Sequence, residues 1–303
     1  MESGPRLGLS ATPVRAGDPV GTAVVFDYFD GVVPPPFTLY DAIKSGTLTQ
    51  YAYHVCRVNL DKDEQDQWNS LTREIRKQFA QSLATKNPQP EAALRLKHLL
   101  IRRARIVKSA REKVEAAVSV VTKAFRRGQH WIVYCDDQVQ LAEVRDALRS
   151  AGCPDVLEYH TAMSGDPRRT LELFETQGGI VVSIRCLDEG VDIPAVSHAL
   201  ILASSKNPRE YVQRRGRVLR KSHGKSLSHI YDIVVTPLFD PNEPPALALL
   251  EGELSRAIAF GQNAINPGCI TDLQRLAIEH GLDWTNLTIA GLEDDEEDKE
   301  HHE

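Results

Sequence analysis

Between residues 131 and 235 short apolar runs alternate with amphipathic stretches, and this alternation restricts the chain more than any other feature. The runs at 131–135, 156–160, 180–184, 199–202 and 228–235 are short and mostly apolar, which predicts strands. Between them, 139–151 has helical spacing and is closed by Gly152. Residues 167–176 start at Pro167 behind the cap residue Asp166, and 208–219 is again helical. Strands separated by helices of this length predict an α/β chain with a parallel, doubly wound sheet.

The flanks read differently. Residues 7–12 (Leu-Gly-Leu-Ser-Ala-Thr) predict a short buried strand that Pro13 ends. Over 14–60, Gly, Pro and aromatics mix, with a short helix at 39–45 and a strand at 52–60. A helix is predicted over 61–83, with Asp61 as its cap before Glu64, and a longer one over 91–127, broken once and ended by Gly128. After Pro237, helices are predicted at 246–260 and 271–280. The expected organisation is therefore 1–13, the tail of another domain; 14–129, a mostly helical linker; 130–236, the sheet domain; 237–290, a helical extension; and 291–303, a disordered acidic tail.

Charge and cysteine usage narrow the function classes. The net charge is -6, but residues 95–113 carry eight Lys/Arg and one acid, whereas 293–300 carry seven acids and one lysine. Such patches govern partners more than the sum does. Five dispersed cysteines without a C-x-x-C pair fit reduced thiols, so a disulfide framework or metal site is not expected. No run of ~18 apolar residues is present, and the N-terminus has no signal-peptide pattern, which reads as a cytoplasmic protein without a membrane span.

The block with the most chemistry is Gln213-Arg214-Arg215-Gly216-Arg217-Val218-Leu219-Arg220. Arg217 and Arg220, three apart on a predicted helix, share a face. Paired guanidiniums suit the charge of a transferring phosphoryl group, because each planar fork binds two oxygens. The competing reading is a solvated basic helix end. In 180–194, a strand runs into a polar turn containing Gly190 and Asp192, and ligands sit at such strand ends in open α/β sheets. Glycine lets backbone approach a ligand, and a carboxylate accepts from a hydroxyl; for Asp192 the alternative is a cap before Pro194. His160, Thr161 and Ser164 offer donors of the kind that hold a phosphate backbone without reading bases, with Ser183 and Arg185 as further candidates.

These blocks together resemble the superfamily-2 helicases. Residues 213–220 look like motif VI, 182–194 like motif V, 131–135 like motif IV, and 159–164 like the block after it. Ser10-Ala11-Thr12 looks like motif III. The branch with excision-repair helicases and the motor subunits of type III restriction systems is the nearest in appearance. The resemblance implies a RecA-like domain, the second of a pair. It also implies arginine fingers at Arg217 and Arg220, and nucleotide contact by Gly190, Asp192 and Gln213. A strand track would be formed by His160, Thr161, Ser164, Ser183 and Arg185, and Ser10 and Thr12 would couple the domains. ATP and Mg²⁺ would be held mainly by a first RecA-like domain, present in cis or trans, so this chain alone is expected to be without ATPase activity. Nucleic acid is the implied partner, with DNA expected ahead of RNA.

Two decoys are set aside. Gly224-Lys225-Ser226 imitates the end of a phosphate loop, but the position that must be glycine is Leu219. Asp188-Glu189 imitates a magnesium-binding pair, but its surroundings match motif V. Two further readings stand beside the motor half. One is a non-catalytic module that binds nucleic acid or a partner. The other is an unrelated α/β enzyme, for which no base and nucleophile set is visible.

Overall fold

The structure, a computed structural model, describes residues 6–10, 13–14, 18–35, 37–84, 90–184, 193–203, 216–238 and 247–287. Its centre is a six-stranded sheet of β1 (Gln50–Asn59), β2 (His130–Cys135), β3 (Val156–Tyr159), β4 (Gly179–Ile184), β5 (His198–Ile201) and β6 (Leu227–Thr236). The spatial order is β1-β6-β5-β2-β4-β3, and every pairing is parallel. This is the parallel α/β sheet that the strand–helix alternation predicts, and the RecA-like fold that the resemblance implies.

Both faces are covered, which explains why the strands read as continuous apolar runs. Along β2, Trp131, Val133 and Cys135 point to one face, and Ile132 and Tyr134 to the other. The first face packs under α5 (Glu112–Ala124) and α6 (Gln138–Ser150), through Ala117, Val121, Leu141, Val144 and Leu148. The second packs under α7 (Pro167–Gln177), α8 (Leu247–Gly261) and α9 (Gly268–Glu279), through Phe174, Leu254, Ala257, Leu273 and Leu276.

β1 corrects the expected division of the chain. It lies within 14–129, the segment read as a linker, yet it is an edge of the sheet and pairs with β6 from Gln50↔Leu227 to Asn59↔Thr236. The helices after residue 237 are likewise integral. Tyr51 donates its hydroxyl to the Phe260 carbonyl at 2.5 Å, and Asn266 brackets Tyr53, accepting from its N–H and donating to its carbonyl at 2.8 Å each. What intervenes between β1 and α5 is a helical hairpin, α3 (Lys62–Ala84) and α4 (Pro90–Lys108), with its own small core of Leu71, Ile75 and Leu99.

Local signals explain most helix ends. Asp61 and Glu64 exchange backbone hydrogen bonds at 2.9 Å, a capping box, and Glu64 also accepts from the Arg111 N–H. The start of α3 is thereby tied to the start of α5. The predicted break in 91–127 falls at 109–111, between α4 and α5. Two readings are overturned. Residues 6–10 form no strand; Leu7 and Leu9 are 76% and 92% exposed, so nothing buries the apolar run. A helix not foreseen, α1 (Pro19–Phe29), follows instead, capped by the Asp18 carboxylate on the Gly21 N–H at 2.7 Å with Pro19 at its first position. Of the helix predicted over 208–219, residues 216–219 lie within the described residues; 216–218 are helical and Leu219 is already in a turn.

Candidate functional site

The arginine pair sits where β1 and β6 begin. Arg217 lies in the helical turn at 216–218, and Arg220 follows it as an antiparallel bridge partner of Leu48, just ahead of β1. The Arg220 N–H donates to the Arg217 carbonyl at 3.2 Å, so the two stay one turn apart although Arg220 has left the helix. Both are half-buried.

The carbonyls of this turn are held in succession. Val218 accepts from the Lys225 ammonium at 2.6 Å and the Ser228 hydroxyl at 2.9 Å. Leu219 accepts from the Thr49 N–H at 2.7 Å, and Arg220 from the Lys225 ammonium at 2.7 Å. Lys225 also reaches the carbonyl of Pro194, the last residue of the 182–194 block, at 3.3 Å. Burial pulls the Lys225 ammonium down to about 8. The sequence could have offered this residue, because a lysine near a helix C-terminus both hydrogen-bonds the last carbonyls and favours the dipole. It was instead absorbed into the discarded phosphate-loop decoy.

The strand-contact candidates lie elsewhere. His160, Thr161 and Ser164 form the turn that follows β3, with Thr161 and Ser164 exposed and the His160 carbonyl accepting from the Met163 N–H at 3.1 Å. The His160 Nδ1 is buried without a hydrogen-bond partner among the described residues. Ser183 departs from expectation. It is fully buried in β4 and its hydroxyl donates to the Ile184 carbonyl at 2.8 Å, so it presents no donor to a phosphate. Strand-end serines can face the core as readily as the cleft, and the sequence period alone did not separate the two. Ser10 is described and exposed. Thr12, Arg185, Gly190, Asp192 and Gln213 lie outside the described residues.

The two groups occupy opposite corners of the sheet. Tyr159, at the end of β3, is level through the pairing register with Asp232, five residues beyond the start of β6 and four strands away. At ~3.3 Å per residue and ~4.8 Å per strand, this places the two corners on the order of 25 Å apart. The arginine pair therefore does not share a crevice at the strand tips with His160, Thr161 and Ser164.

A second lysine, this one buried, secures the tip of β5. Lys113 on α5 is 2% exposed, and its ammonium donates to the Leu202 carbonyl at 2.5 Å. Burial lowers it from 10.5 to about 8, against the pull of Glu253 and Asp232. Between those two values the unfolded chain holds a proton that the folded chain has released, so the cost of burying this charge, full below pH 8, fades as pH rises towards 10.5. Wild type should therefore gain stability relative to Lys113→Met between pH 8 and 10, by up to ~1.4 kcal/mol per pH unit. Urea denaturation of both chains across that window checks this; a difference independent of pH would contradict it.

Among the described residues no helix is long and apolar enough to cross a membrane, and no cluster of His, Cys, Asp or Glu could hold a metal ion.

Residues 112–222, just over a third of the chain, match the model of the helicase conserved C-terminal domain. A protein of Methanocaldococcus jannaschii named as an ATP-dependent RNA helicase is 34% identical over 55 residues, 18% of this chain and 7% of that protein's length. Among solved structures, the C-terminal part of the Fun30 ATPase domain has a TM-score of 0.44 at 8% identity, covering 62% of this chain and 86% of that one. The Hef helicase domain of Pyrococcus furiosus has a TM-score of 0.43 at 12% identity, covering 72% of this chain and 62% of that one. Residues 112–222 are thus similar to the conserved C-terminal domain of helicases, and they contain the blocks at 131–135, 182–194 and 213–220.

Proposed function

We propose that the chain is the second motor half of an ATP-dependent helicase or translocase. Arg217 and Arg220 complete an ATP site whose phosphate loop and Mg²⁺-binding carboxylates belong to a first RecA-like domain, in cis or in trans. The observation that carries this reading is the arginine pair on a turn whose successive carbonyls are all held by fixed donors at the rim of the sheet. Guanidiniums fixed in advance stabilise developing phosphoryl charge without reorganising when the reaction occurs. Gly190, Asp192 and Gln213 are assigned to the nucleotide, with Ser10 and Thr12 coupling the domains. His160, Thr161 and Ser164 hold the nucleic-acid backbone from the opposite corner, and Arg185 is assigned to the same track from its place in the sequence. Nucleotide closure at one corner and strand contact at the other is the separation that a motor needs to convert one into movement of the other. DNA is the proposed track, on the branch that the motifs resemble.

Combining the chain with a purified phosphate-loop domain of a superfamily-2 helicase tests this. ATP hydrolysis stimulated by single-stranded DNA should appear in the mixture and in neither component alone. Hydrolysis by the chain alone, or none in the mixture, would refute the reading, and stimulation by RNA only would correct the substrate.

The exposed apolar side chains of Leu9, Val20, Val24 and Tyr28 favour a second reading, a module that binds a partner or a single strand without catalysis. Its affinity for a single strand would fall with salt and ignore ATP.

A further inference from the structure

We infer that Lys225 is the positioning residue of the arginine pair. Its ammonium grips the Val218 and Arg220 carbonyls and ties the arginine-bearing turn to the carbonyl of Pro194. The role rests on the function proposed above for Arg217 and Arg220.

The geometry begins with a tight turn. The Lys225 N–H donates to the Ser222 carbonyl at 3.1 Å, and Gly224, at φ +77°, supplies the left-handed backbone that folds the lysine back towards the helix end. Gly224 and Lys225 are thus explained by a turn and a clamp rather than by a phosphate loop. The end of a helix leaves carbonyls without intrahelical partners and concentrates partial negative charge there. An ammonium with three donors, surrounded by three carbonyls, answers both. Ser228 and Thr49 supply the remaining donors, but each is neutral and each comes from the sheet. Lys225 alone among these donors also reaches the 182–194 block, the segment that carries Gly190 and Asp192. A residue that holds the Val218, Arg220 and Pro194 carbonyls at once fixes the turn that carries the arginines, and small misplacement of such groups is costly in rate.

Two measurements test this, using the full chain. The first is amide hydrogen exchange on the chain alone. In Lys225→Met, the Thr49 and Arg220 amides should exchange about ten- to hundredfold faster, the loss expected of a charge-assisted hydrogen bond, and Lys225→Arg should restore most of the protection. The second is DNA-stimulated ATP hydrolysis with the phosphate-loop domain, where Lys225→Met should lower kcat by roughly tenfold or more while the KM for ATP stays close to wild type. Lys225→Arg should recover kcat. Unchanged exchange in Lys225→Met overturns the clamp, and faster exchange with an unchanged kcat overturns the positioning role. If Lys225→Met does not fold, Lys225→Gln, which keeps N–H donors without the charge, should still exchange faster than wild type; wild-type protection there overturns the proposal. Should Arg217→Ala and Arg220→Ala both hydrolyse ATP at the wild-type rate, the arginine-finger reading falls and the positioning role with it, whereas the exchange result speaks for the clamp alone.

Discussion

Arg217→Ala or Arg220→Ala, combined with a phosphate-loop domain, is expected to hydrolyse ATP about 10³–10⁵-fold more slowly than the wild-type chain in the same mixture. The size follows from where the charge develops. A transferring phosphoryl group spreads negative charge over its equatorial oxygens, and a guanidinium aimed at them acts only in the transition state. The effect should fall on kcat rather than on KM, and lysine should not substitute, because a point charge lacks the planar fork. Nucleic-acid affinity measured without nucleotide should hardly move, since the pair lies at the opposite corner from Thr161 and Ser164. A wild-type kcat in both variants would remove the arginine-finger role.

The largest expected effect on stability is at Asp232. This carboxylate is fully buried on β6, where it accepts from the Tyr53 hydroxyl at 2.7 Å and pairs with Arg256, itself 7% exposed. Glu253 holds the other side of Arg256 at 3.0 Å and accepts from the Val235 N–H at 3.1 Å. Although burial opposes its charge, Asp232 and Glu253 keep the Arg256 guanidinium above its ordinary range. Asp232→Ala would leave the buried Arg256 charge with Glu253 as its remaining partner in the network and the Tyr53 hydroxyl without this acceptor. A loss of about 3–5 kcal/mol is expected in urea denaturation. Replacing both partners, as Asp232→Leu with Arg256→Met, should recover much of it, because two apolar groups of similar volume need no compensation. If Asp232→Ala unfolds at the wild-type midpoint, the network contributes nothing to holding α8 against the sheet.

The strands and helices between 131 and 235 were legible because the signals are local: apolar runs, Asp166 as a cap, Gly152 at a helix end. The same holds for α3, whose Asp61–Glu64 box is written in four consecutive residues. What the sequence hid was non-local. Residues 52–60 were readable as a strand, but nothing near them says that their partner is β6, more than 160 residues later. Residues 7–12 failed for the converse reason: their apolar character was visible, and the absence of a covering surface over Leu7 and Leu9 was not. Within the candidate site, the residue types in 213–220 announced their chemistry, while Lys225 did not. Its role depends on a fold-back at Gly224 that brings it onto carbonyls five and seven residues earlier.

The outlying position of β1 has a practical consequence for anyone dividing this polypeptide. Boundaries drawn at the family match, 112–222, would discard both β1 and β6 and leave the backbone of β5 unpaired on one side. A bare, flat, parallel edge is a template for intermolecular strand pairing. Such a fragment would precipitate or swap strands between copies, and its behaviour would report on the cut rather than on the domain. A soluble piece must carry residues 50–59 along with everything through the helices that follow β6.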